Sequence, residues 1–220
     1  DSGWPRTVYT ITTTTEDQQS QRLLVFTQDS PRQNYKLWGV ARLFAGAQLP
    51  RFTVPEIGTQ MGLPNDTGLV ATPQEAVERY ADVLQNGANS EFADQFADDS
   101  LRQTIASVAQ TVQEGMERNN GTQTQTFTVV PDAIKIMRSS DGGDLVVAQI
   151  NSEWTRAAGD GRESLPASDE EQALFGDGTA TSTMKVTYVN IVALYVPPED
   201  SGEPITAVGA ERKPIKVEAI

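Results

Sequence analysis

From Thr72 onward the chain changes its hydrophobic period once, and that change separates helices from strands. Thr72-Pro73-Gln74-Glu75 forms a capping-box pattern with proline at the first helical position, and Ala76, Val77, Tyr80, Ala81 and Leu84 make the apolar stripe behind it. Asn86-Gly87 ends that helix. Phe92 and Phe96, four residues apart, predict a short second helix. Ser100 is the expected cap of a third, in which Leu101, Ile105, Val108, Val112 and Met116 recur at helical spacing up to Asn119-Asn120-Gly121. After Gly121 the period falls to two, which predicts strands near residues 124–138, 144–156, 181–196 and 204–217. Asp141-Gly142-Gly143 supplies a tight hairpin turn, and Pro131 belongs at a bulge or an edge.

The first third is patterned differently. Residues 4–44 are rich in β-branched and aromatic side chains and predict a three-stranded meander, with polar turns at Glu16 to Gln21 and Asp29 to Asn34. Alternation in the last of these strands places Tyr35, Leu37, Gly39, Ala41 and Leu43 on one face. Residues 45–71 carry Pro50, Pro55, Pro64 and several glycines, an irregular connector and the expected boundary. Helices followed by antiparallel strands give an α+β class, the helices covering the concave face of one curved sheet. The meander is expected to form a separate small sheet resting one face on residues 69–220, because three strands bury too little apolar area alone. Residues 21–28 also parallel residues 143–149, a weak internal repeat.

Composition narrows the chemistry. The 220 residues contain no histidine and no cysteine. That excludes a cysteine nucleophile, a Ser/His/Asp triad, a histidine base and any zinc or transition-metal site built on His or Cys. No cofactor and no metal is expected. The net charge is −13, and all of it arises in residues 69–220, since residues 1–68 hold six basic and six acidic side chains. Such a surface repels phosphate backbones, so nucleic acid and anionic membrane are not expected as partners. The longest apolar runs, such as Ile191 to Val196, fall far short of the roughly 20 residues a membrane span needs. The sequence begins at Asp1 without an initiator Met, and a leader or longer N-terminal segment is expected to precede it.

Trp4-Pro5-Arg6, Leu23 to Gln28, Tyr35 to Trp38, Leu49-Pro50, Thr72 to Ala76 and Tyr188 to Pro198 together give the chain its resemblance to a family of uncharacterised exported proteins and lipoproteins of actinobacteria. The resemblance implies two successive cystatin-like or NTF2-like halves. Residues 1–68 would then be the meander and linker that end a first such domain, and residues 69–220 a complete NTF2-like/cystatin-like cone. It further implies an extracytoplasmic, envelope-attached protein, held to the membrane only through a lipid anchor outside this chain.

NTF2-like cones hold a pocket between helix and sheet, and some run isomerase or dehydratase chemistry on a buried carboxylate. Glu78, Asp82, Asp94, Asp98 and Asp99 are the carboxylates that could serve. Tyr80, Tyr188 and Tyr195 are the candidate ligand-binding residues, each offering a phenol beside apolar surface. No residue is assigned a catalytic role. Residues 160–177 concentrate Asp160, Glu163, Asp169, Glu170, Glu171 and Asp177, oxygen ligands of the kind Ca²⁺ takes, but without EF-hand spacing. Within them Ser168 to Glu171 repeats the capping-box pattern and predicts a helical turn, and the insertion is otherwise expected to be a solvated loop. The expected function is a non-enzymatic binding or protein-interaction module of the cell envelope, its partner an envelope protein or a small ligand. The alternative is a small-molecule isomerase or dehydratase using a carboxylate in the cone.

Overall fold

The computed structural model describes residues 3–13 and 21–220. The turn expected over residues 16–21 lies outside them, apart from Gln21. The described elements are β1 (Arg6–Thr13), β2 (Gln21–Gln28), β3 (Lys36–Leu43), α1 (Pro73–Asn86), α2 (Ser100–Glu117), β4 (Thr122–Arg138), β5 (Asp144–Ala157), α3 (Asp169–Phe175), β6 (Thr183–Val196) and β7 (Thr206–Ala219). Together they make an α+β fold in which a curled antiparallel sheet, ordered β1-β2-β3-β7-β6-β5-β4, is combined with three helices.

Local signals account for the helices. At the start of α1 both halves of the capping box form: the Glu75 N–H donates to Thr72 Oγ1 at 3.2 Å, and the Thr72 N–H donates to Glu75 Oε2 at 2.9 Å. The cap of α2 is Asp99 rather than Ser100; its carboxylate accepts from the Arg102 N–H at 2.9 Å. The short helix expected at Phe92 and Phe96 is instead a 3₁₀ turn, Ala93–Gln95. The reason is long-range. The Ala97 N–H donates to Ile205 O and the Ile205 N–H to Gln95 O, both at 2.9 Å, so this backbone bonds to the start of β7 and cannot continue as a helix. The third α-helix is therefore the one in the acidic insertion.

Alternation along β5 and β6 sorts the core onto two faces. Even-numbered Val146, Ala148, Ile150, Val192, Leu194 and Val196 pack under α1 and α2 against Val77, Tyr80, Leu84 and Leu101. Farther along the same face Trp154, Met184, Val186 and Tyr188 meet Phe175 of α3. Odd-numbered Leu145, Val147 and Ala193 point the other way, into a core shared with Leu23, Val25, Ala41 and Leu43. Burying each of these large aliphatic side chains contributes about 1.5–3 kcal/mol, which the first three strands could not gain alone.

Those strands do not form the separate sheet expected of them. Arg42 pairs with Ala210 and Leu43 with Gly209, joining β3 to β7 in one sheet. Gly209 permits the approach, since a Cβ there would lie 2.6 Å from Arg42 O. The face expected for Tyr35, Leu37, Gly39, Ala41 and Leu43 is also broken. The register slips by one residue at Trp38, leaving Leu37 and Tyr35 exposed while Gly39, Ala41 and Leu43 stay buried. Pro131 sits where the β4 register shifts, and β4 is the far edge of the sheet. Among the described residues no helix is long and apolar enough to cross a membrane.

Candidate functional site

The connector between β3 and α1 builds a large cavity. Its Met61 bridges Met137 on the outer edge of β4, the Gly62 N–H donates to Ile136 O at 3.1 Å, and the Arg138 N–H donates to Gln60 O at 3.2 Å. Gly62 makes this contact possible, because a Cβ there would lie 2.1 Å from the Ile136 side chain. The connector thus covers one end of β4 while standing off from β1. Between them is a cavity of about 940 Å³, walled by β1, by residues 49–63, and by the ends of β4 and β5. Its lining is mainly apolar, with Val8, Leu49, Phe52, Ile57, Met61 and Leu145 among the contributors.

Three buried polar atoms near this cavity have no hydrogen-bond partner: Arg6 Nε, Tyr9 Oη and Asp144 Oδ2. Arg6 and Tyr9 line the cavity wall, whereas Asp144 lies behind it, next to Leu145. Arg138 donates from Nε and Nη2 to the two oxygens of Asp66 at 3.0 and 2.5 Å. Burial alone would raise Asp66, but the hydrogen bonds from Arg138 and from the Leu63 N–H hold it below its ordinary value. Asp144 is 2% exposed. Burial, then the neighbouring Asp66 charge, pushes it up to about 6. Burial and then the Asp144 charge raise the Tyr9 phenol well above its usual range, so it remains a neutral donor. Chemically, the lining offers apolar walls, the guanidinium groups of Arg6 and Arg138, the phenols of Tyr9 and Tyr35 and the carboxylate of Glu56.

The three tyrosines singled out in the sequence are not brought together. Tyr80 lies under α1, donating to both oxygens of Asp99 at 3.1 Å. Tyr188 donates to Glu171 at the other end of the same face, with the Arg212 guanidinium stacked 3.8 Å from its ring centroid. Tyr195 is on the opposite face at the β4–β5 hairpin, where it donates to Asp141 Oδ2 at 2.9 Å; burial, then this bond, pushes it up to about 12.

Of the candidate carboxylates, Glu78, Asp94 and Asp98 are exposed, and Asp82 accepts from Asn86 and Ser90. Asp99 is buried, and that burial raises it, but its oxygens are occupied by Tyr80 and the α2 N-terminus. Among the described residues no three acidic side chains are grouped to share a metal ion. Nor is the insertion wholly solvated. Glu171 is 1% exposed and makes a two-pronged pair with Arg156, at 2.5 and 3.2 Å, while accepting from the Ala167 N–H at 2.7 Å. Its carboxylate is drawn inward, so only the Ser168 half of the expected capping box forms, with the Glu171 N–H donating to Ser168 Oγ at 3.2 Å.

The sequence reading missed Arg6, Tyr9, Asp66, Arg138 and Asp144. Asp144 carries the one available signal, a charged residue placed after a hairpin turn at the head of an apolar strand. Glu171 has a clearer one: Arg156 shares the parity of Val146, Ala148 and Trp154, and an inward-facing arginine demands an acid partner. No curated protein and no solved structure matches the chain. Residues 1–217 match the family described as a domain of unknown function, DUF8094, and the chain belongs to that family.

Proposed function

We propose that this chain is a non-enzymatic binding module that holds a small, largely apolar molecule between β1 and the connector. The observation that carries this reading is the cavity of about 940 Å³, at the upper end of the range typical of small-molecule sites. The helix-covered face of the sheet argues for the same place, because it is filled by its own core and leaves the β1 side to receive a ligand. We assign the module an extracytoplasmic position at the cell envelope and an NTF2-like/cystatin-like plan. Both rest on the resemblance of Trp4 to Arg6, Leu23 to Gln28 and Tyr188 to Pro198 to exported actinobacterial proteins.

One observation favours a second reading, an isomerase- or dehydratase-type enzyme. Asp144 is a buried carboxyl raised toward neutrality and close to an apolar cavity, which suits a general base. Against it, Asp144 does not line the cavity, and Arg138 already fixes its partner Asp66. The binding reading is tested with an environment-sensitive naphthalene sulfonate dye. Its emission should rise with the protein and fall in Thr53→Trp, which places bulk on the cavity wall. Equal emission from both proteins would put the dye elsewhere and remove the support for a binding cavity.

A further inference from the structure

We infer that the molecule held in this cavity is a short, uncharged peptide that lies extended along the open edge of β1 and adds a strand to the sheet. This rests on the binding reading above and names the class of molecule. β1 is the first strand of the sheet and pairs with β2 alone; between Arg6 and Ile11 no backbone group on its other edge has a partner among the described residues. The cavity runs along that edge. Arg6, Thr7, Val8 and Tyr9 line it in succession, although alternation turns neighbouring side chains to opposite faces, so it is the edge of the strand that borders the space. Every second residue there offers its N–H and C=O outward, as it would to a neighbouring strand.

The two edges of the sheet differ in how they are protected. β4, at the far edge, is interrupted by Pro131 and by a register shift between Val129 and Ile134, and the connector covers its end through Met61 and Gly62. β1 has none of these devices. From Thr7 to Thr13 it carries no charge and no proline, its register with β2 is unbroken, and Val8 and Ile11 are 43% and 48% exposed. An edge of that kind is a template for another strand. The space suits a single one: six residues of strand, at about 3.4 Å each with about 4.8 Å between strands and about 10 Å between layers, take roughly 1,000 Å³, against a cavity of about 940 Å³. A second copy of the chain would bring its own β2 and connector with its β1, and the connector opposite leaves no room for them. Charge sets the composition of the peptide. Of the three charged side chains in the lining, Arg138 is paired with Asp66 at 2.5 Å, while Arg6 and Glu56 are opposite in sign, so the wall is neutral in a chain whose net charge is −13. The ladder supplies affinity for any sequence, and Leu49, Phe52, Ile57 and Met61 favour apolar side chains on it.

Calorimetric titration of the full chain with an acetylated, amidated hexapeptide alternating threonine and valine tests this, together with hydrogen exchange of the β1 amides in the same samples. The peptide should bind and should slow exchange about tenfold or more at alternate residues between Arg6 and Ile11. The same peptide N-methylated at every residue has more apolar surface but no backbone donors, and it should bind at least about tenfold more weakly. Equal or tighter binding of the methylated peptide overturns strand pairing. Lysine or glutamate in place of the middle valine should weaken binding by similar factors, and tighter binding of either charged peptide overturns the neutral composition. Val8→Lys, which puts a charge at an exposed position of the edge, should weaken the parent peptide about tenfold; an unchanged affinity overturns the placement on β1. A dimer that forms without peptide and protects the same amides makes a second copy the occupant and overturns the peptide. If the dye reports the cavity as above but no hexapeptide binds, this inference fails and the binding reading stands; if neither binds, both fail.

Discussion

Tyr80 and Tyr9 are both phenols removed from water, yet Tyr80 donates to both oxygens of Asp99 at 3.1 Å while Tyr9 has no partner. The same contrast runs through the two faces of the sheet. Under the helices Arg156 meets Glu171, Tyr188 meets Glu171, and Asn190 Nδ2 donates to Ile150 O at 2.8 Å while its Oδ1 accepts from Arg212 at 2.8 Å. At β1, Arg6 Nε and Tyr9 Oη are both unpaired. A folded chain pairs nearly all its buried polar groups. At β1 two such groups lack a partner among the described residues. On the binding reading proposed above, the helix face is the structural half of this molecule and the β1 face the receptive half.

The sharpest way to break this contrast is to unpair the helix face. Glu171→Ala strips Arg156 of its carboxylate at a site where the two side chains are 3% and 1% exposed, and it removes the acceptor of Tyr188 as well. The expected loss is about 3–5 kcal/mol, read from urea denaturation, because a buried guanidinium is left uncompensated. A loss below about 1 kcal/mol would mean that water reaches Arg156 and that this face is not sealed.

A pH titration of stability probes the buried carboxyl at the head of β5. Asp144 is raised from 3.8 to about 6 in the folded state, so the folded chain holds this proton more tightly than the unfolded chain does. The resulting stabilisation is complete below 3.8 and is lost as pH rises through about 6. The size is about 2–3 kcal/mol. Asp99 is raised by burial and adds a slope of the same sign. Asp66 and Glu171, held low by their arginines, act with the opposite sign at lower pH, their contribution being lost as pH falls. Melting temperatures between about pH 5 and 7 therefore isolate the raised groups. Asp144→Asn should flatten most of the decline and be the more stable protein at pH 7, and an unchanged slope would show that Asp144 does not titrate there.

The helices and the strands of the second half were legible because their signals are local. A capping box sets α1, Asn86-Gly87 ends it, and Gly142, at φ 89°, serves the hairpin that aligns β4 with β5. What the sequence hid depends on distant partners. Only two residue pairs, Arg42 with Ala210 and Leu43 with Gly209, decide that β1 to β3 extend the main sheet, and no local pattern encodes them. Phe92 to Phe96 has helical spacing but yields to bonds from Ile205. The cavity was less legible still, since it exists only where the proline-rich connector leaves β1 uncovered, and Tyr9 and Asp144, 135 residues apart, meet only through that curl.

Removing one hydroxyl from each buried tyrosine gives the most direct test of the two-face contrast. Tyr80→Phe deletes a bonded hydroxyl and leaves Asp99, itself 6% exposed, with one partner fewer. The cost should be about 1–3 kcal/mol.

Tyr9→Phe is the same chemical change on the other face, and there the hydroxyl has no bond to lose. Deleting a desolvated, unpartnered hydroxyl also removes its burial penalty, so the variant should match the parent protein or exceed it by up to about 1 kcal/mol. Phenylalanine keeps the ring that packs against Leu23 and Val25, so the core is unchanged. Chemical denaturation of both variants in the same buffer measures the difference between them, which should be about 2 kcal/mol. Equal losses would mean that Tyr9 has a partner in solution equivalent to Asp99, and the β1 face would then be a sealed structural face like the other.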